Sequence, residues 1–161
     1  MDDPELLERL RLAGDAIIDG VSREIPGWVV RSVDRIIAAW GRLTDAEFET
    51  ARTGAQHLGP VVATRIAGEL GALFGADPAD QRSTPLNIVR SAYREPTGFL
   101  EQFGIPGVVR DAFDERNAPD DEYDLSPRAL SDLGDPALGP VLLAWGMTKA
   151  RVLRARAEPP E

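Results

Sequence analysis

The sequence predicts an all-α domain: a compact bundle of about seven or eight helices joined by short loops. Three observations carry this. Apolar residues recur at spacings of three and four along most of the chain. No stretch alternates with period two for long, and runs of β-branched residues are short. Helix-start chemistry also repeats, as a small polar cap before a proline or a threonine cap with glutamate three residues on.

Taken in order, Asp3 and Pro4 start a first helix, because Asp accepts from free N–H groups and Pro has none to satisfy. Leu6, Leu7, Leu10, Ala13, Ile17, Ile18 and Val21 line one face of it. "IPG" at 25–27 predicts a break, and a second helix follows from Trp28 to Leu43. "TDAE" at 44–47 is a capping box that opens a third. Gly59 and Pro60 interrupt that pattern, so it reads as one kinked helix or two. "GADPADQRS" is a loop, and Thr84 with Pro85 starts the next helix. "IPG" at 105–107 launches "VVRDAFDER", Ser126 and Pro127 cap "RALSDL", and Asp135 with Pro136 begins a last long helix to Arg156. Gly139 and Gly146 within it predict close helix packing. The domain spans 1–157, and residues 158–161 form a fraying tail.

Two motifs repeat at an offset of eighty residues: "IPG" at 25 and 105, and "LGPV" at 58 and 138. They admit a reading as two pseudo-symmetric halves, 1–80 and 81–157, although the plainer account is that Pro and Gly punctuate helices everywhere.

Composition removes several function classes. The 161 residues contain no cysteine, which excludes disulfides, thiolate metal sites and cysteine nucleophiles. The net charge of −9 argues against nucleic acid, since the one basic cluster, Lys149 to Arg156, suits the negative end of a helix. The acidic, amphipathic start shows no signal peptide, and no segment approaches the ~20 apolar residues a membrane span needs. A cytoplasmic protein follows, with neither a nucleic-acid nor a membrane partner.

The functional question centres on "DAFDERNAPDDEYD", residues 111–124, with seven carboxylates. If 108–116 is a helix, Asp111, Asp114 and Glu115 are its wet face opposite Val108, Val109, Ala112 and Phe113. Asp120, Asp121, Glu122 and Asp124 then face water from a connector that Tyr123 and Leu125 pin down. A calcium loop from Asp120 fails, because Leu125 stands where glycine is needed and Ser131 where glutamate is. A di-iron site fails because His57, the single histidine, has Gly54 rather than Glu three residues before it. A diphosphate-processing metal enzyme using Asp111, Asp114 and Glu115 would need a facing acidic cluster, for which Asp45, Glu47 and Glu49 are the nominees. No nucleophile elbow accompanies His57, and no glycine pattern cradles phosphate. Trp28, Trp40 and Trp145 read first as core residues and second as the lining of a pocket.

The segments "RSTPLNIVRSAYREPTGFL", "GIPGVVRDAFDERNAPDDEYDLSP" and "LLAWGMTKARVLRAR" resemble an uncharacterised all-helical protein family of actinobacteria, over residues 81–156. The resemblance implies a helical cytosolic protein, and no activity or site residue carries over with it.

The sequence therefore predicts a non-enzymatic protein–protein interaction or regulatory domain that needs no cofactor. Its partner-binding residues would be Asp120, Asp121, Glu122, Tyr123 and Asp124, facing a basic protein partner, with homodimerisation a further arrangement. A binding module for a small apolar ligand near the tryptophans is the alternative. The metal-dependent enzyme is third.

Overall fold

The structure, a computed structural model, describes residues 2–105 and 127–158. All regular structure among them is helical. Three long helices carry the bundle: α1 (Pro4–Trp40), α2 (Asp45–Gly75) and α5 (Leu138–Ala157). Between α2 and α5 lie the short α3 (Pro85–Arg90) and α4 (Arg94–Leu100), extended by single 3-10 turns.

These are fewer helices than the seven or eight the sequence predicts, and the prolines are the reason. Pro26 lies inside α1 and Pro60 inside α2, and neither ends its helix. An interior proline removes one backbone hydrogen bond and costs about 3 kcal/mol. Burial on both sides of Pro26 offsets that cost: Val21, Ile25, Val29 and Val33 are completely buried along one face that continues through it. Trp28 is on that inner face too, 6% exposed, in keeping with the reading of the tryptophans as core residues.

Local start signals behave as read. Asp3 accepts from Glu5 N–H (2.9 Å). Thr44 Oγ1 accepts from Glu47 N–H (3.2 Å) while the Glu47 carboxylate accepts from Thr44 N–H (3.0 Å). Thr84 Oγ1 accepts from Asn87 N–H (3.2 Å). Each satisfies an end N–H that the helix itself cannot. Gly41, at φ 65°, closes α1 in the left-handed conformation that favours glycine.

α1 and α2 form an antiparallel hairpin. Asp34 meets Arg52 (3.9 Å), Pro26 meets Gly59, and Gly14 meets Phe74. A Cβ on Gly59 would stand 2.8 Å from Pro26 Cα, so the "IPG" and "LGP" motifs are the crossing contact of the two helices. α5 runs back along the first half of α1, from Leu138 against Gly20 to Arg156 against Asp2. It also meets the end of α2, where Trp145 packs on Phe74 at 5.5 Å between ring centres. The other end of the hairpin is covered by α3 and α4, with Phe99 on Gly54 and Arg65 paired to Glu95 at 3.1 Å. A 3-10 turn, Leu130–Leu133, is tied to α1 by the Arg31 guanidinium donating to Leu133 O (2.6 Å). Leu130, Leu133, Val89 and Leu100 complete the core from these caps.

The matched motifs of the two chain halves occupy different places. Gly59–Pro60 is mid-helix in α2, whereas Gly139–Pro140 is in the first turn of α5. Asp3–Pro4 opens 37 residues of helix and Thr84–Pro85 opens six.

Candidate functional site: the outer face of the last helix

Asp120, Asp121, Glu122, Tyr123 and Asp124 lie outside the described residues, as do Asp111, Asp114 and Glu115. Of the facing acids nominated for a metal enzyme, Glu47 is committed to the cap of α2, and its backbone bonds hold its carboxyl below the usual range. Among the described residues no three His, Asp or Glu side chains are grouped to hold a metal ion. His57 is exposed within α2.

The described surface instead offers apolar space around α5. Leu138, Trp145 and Val152 are seven residues apart and face the core. Seven residues are nearly two helical turns, so these three form one inward stripe. The remaining apolar side chains cannot share it. Leu143 is 65% exposed and Met147 55%, neighbours one turn apart on the opposite side. They border an open groove of about 610 Å³ with Pro85, Leu86, Leu142 and Gly146. Among the described residues nothing lies within 4 Å of where a Cβ would stand on Gly139 or Gly146. That corrects the expectation of close helix packing at these glycines. They leave the groove shallow and the helix backbone open to approach from outside.

A second, smaller cleft of about 310 Å³ lies on the other side of Trp145, between α1 and α2. Leu7, Leu10, Ile18 and Phe74 give it apolar walls, and Arg11 and Asp15, paired at 2.9 Å, stand at its edge. Gln81 also borders it. Its amide N–H₂ donates to Leu73 O (3.0 Å), and its Oε1 is buried without a hydrogen-bond partner among the described residues. Trp145, 5% exposed, is thus a shared wall, fixed by Phe74 and by Lys149 Nζ at 5.2 Å from its ring centre. Trp40 is half-buried with the Arg42 guanidinium 5.0 Å over its ring, and borders neither cleft.

Electrostatically α5 is one-sided along its length. It carries Lys149, Arg151, Arg154 and Arg156, and no acidic residue. Arg156 is held in place, donating to Asp2 (2.5 Å) and Asp77 (2.7 Å). Those hydrogen bonds lower the pKa of both aspartates and raise that of the arginine. The clamp ties the start of the chain and the end of α2 to the last turn of α5.

Such a face can bind apolar surface. Among the described residues it brings together no nucleophile and base. Sequence reasoning missed Leu143 and Met147. The available signal was that apolar residues of the last helix surround its axis, more than a single buried stripe requires. No protein-family model, curated protein or solved structure matches the chain. Among the described residues no helix is long and apolar enough to cross a membrane.

Proposed function

We propose that this chain is a non-enzymatic protein–protein interaction domain that docks through the outer face of α5. One observation supports the reading above the rest: Leu143 and Met147 stand exposed side by side, over glycines that keep the face flat. Isolated exposed apolar residues are ordinary, and Leu12, 54% exposed on α1, is one. A pair continuous with a groove reaching Pro85 and Leu86 is a patch.

The test uses a photo-crosslinking amino acid at position 143, with position 12 as an equally exposed control, in extract of the native cell. Adducts at 143 and none at 12 support a docking face. Equal adducts at both, or none at either, remove it. Asp120, Asp121, Glu122 and Asp124, with Tyr123, stay the nominees for steering a basic partner. Changing the four acids to Asn or Gln should then lower the adduct yield, and an unchanged yield would take them out of the interface.

A second reading, a carrier of a small apolar ligand, is favoured by the Trp145–Phe74 cleft, whose volume is at the lower end for ligand sites. An apolar probe that quenches tryptophan emission in the wild type but not in Phe74→Ala would support it. Equal quenching would dismiss it.

A further inference from the structure

We infer that the outer face of α5 takes an acidic amphipathic helix of another protein. Its apolar side would lie on Leu143 and Met147, and its carboxylates on Arg151 and Arg154. This rests on the reading of that face as a docking surface and adds the chemistry of what docks. Leu143, Met147 and Arg151 follow at intervals of four, and Met147, Ala150 and Arg154 at three and four. Residues so spaced share one side of a helix, so the apolar patch runs directly into two guanidinium groups. All five side chains are exposed. From Leu143 to Arg154 is ~16 Å, about three turns of a partner helix.

Charge sets the sign of the partner. In the chain as a whole acids outnumber Lys and Arg by 27 to 18, yet α5 has four cations and no acid. Exposed arginines on the other long helices are neutralised nearby: Arg9 by Glu5, Arg11 by Glu8 and Asp15, Arg65 by Glu69. Among the described residues Arg151 and Arg154 make no ion pair. The helix dipole favours cations in the last turn, where Arg154 and Arg156 stand, and Arg156 is already held by Asp2 and Asp77. Arg151 lies before that turn, so the dipole does not account for it. A helix suits the groove better than an extended segment. The described residues offer no strand edge, so a partner's backbone groups must be satisfied within the partner. A bilayer or a nucleic acid is negative over a wider area than one helix and would also meet the acidic remainder of a chain of charge −9.

The test repeats the photo-crosslink at position 143 and identifies the joined peptide by mass spectrometry. That peptide should be net negative, with apolar residues three and four apart. Arg151→Glu with Arg154→Glu should lower the adduct yield by about tenfold, because two exposed attractions become repulsions. Arg9→Glu with Arg42→Glu changes the net charge equally, away from α5, and should leave the yield as in the wild type. All four arginines are exposed, so both variants should keep the wild-type urea midpoint to within about 1 kcal/mol. A synthetic copy of the joined peptide, followed by fluorescence anisotropy, should bind the wild type more weakly as salt rises. A basic or uncharged joined peptide overturns the inference, as does one from a second copy of this chain. So does an equal fall in both variants. Sedimentation with vesicles of phosphatidylcholine and phosphatidylglycerol, lost in the Arg151 and Arg154 variant, would make the occupant a membrane and also overturn it. Adducts indifferent to Arg151 and Arg154 remove the acidic helix and keep the docking face, whereas absence of adducts in the wild type removes both.

Discussion

Gly59→Ala and Gly68→Ala are the same chemical change in the same helix, and the structure gives them opposite signs. Alanine favours a helix interior over glycine by about 1 kcal/mol, so both begin with that gain. At Gly68, exposed on α2, a Cβ meets nothing within 4 Å among the described residues and the gain survives. At Gly59 the Cβ would stand 2.8 Å from Pro26 Cα and 3.1 Å from Pro26 O. Those are backbone atoms, so no rotamer change relieves the overlap, and the two longest helices must part where they cross. Overpacking of this kind costs about 1–3 kcal/mol, which exceeds the propensity gain. Gly59→Ala should therefore destabilise by a net ~1–2 kcal/mol, and Gly68→Ala stabilise by ~0.5–1 kcal/mol. For a chain of this size each kcal/mol moves the midpoint by about 2–4 °C. Urea unfolding followed by circular dichroism measures both, with an unchanged m-value showing that stability alone has moved. If Gly59→Ala is as stable as the wild type or more so, the helices do not cross at Pro26 and Gly59.

Ile66→Ala, at a completely buried position of α2, should cost about 2–5 kcal/mol, while Leu12→Ala, on the exposed side of α1, should stay within about 0.5 kcal/mol, both read from urea midpoints. Thr44→Ala removes the hydroxyl half of the α2 capping box and should cost about 1 kcal/mol, and earlier amide exchange confined to the first turn of α2 would locate the effect. The Arg156 clamp makes a signed statement about pH. Asp2 and Asp77 have folded pKa values below the ordinary aspartate value, so their contribution is complete above about pH 4 and is lost as pH falls through the folded values. Arg156→Gln should lower the thermal midpoint at pH 7, and its gap from the wild type should narrow below about pH 4. A gap equally wide in acid would mean that the charges of this clamp contribute nothing.

The sequence by itself determined the helical class and where α1, α2 and α3 start. Asp3 with Pro4, Thr44 with Glu47, and Thr84 with Pro85 each satisfy end N–H groups within three residues, so distant parts of the chain have no say. Asp135 behaves similarly, accepting from Ala137 N–H (2.9 Å) ahead of α5. The buried face of α1 was also legible, since its spacing is a property of the helix alone. Tertiary structure decided the rest. Pro26 and Pro60 read locally as breaks, yet the burial of continuous faces on either side outweighs one missing hydrogen bond each. Gly59 reads locally as a weakness and becomes the contact that lets two helices cross. Of the acidic residues singled out in advance, those at 111–124 lie outside the described residues, and the candidate site lies on α5. Its position was not readable beforehand, because exposure belongs to a pair of surfaces. Leu138 and Leu143 are the same residue type in one helix, and only the arrival of α1 buries the first and leaves the second open.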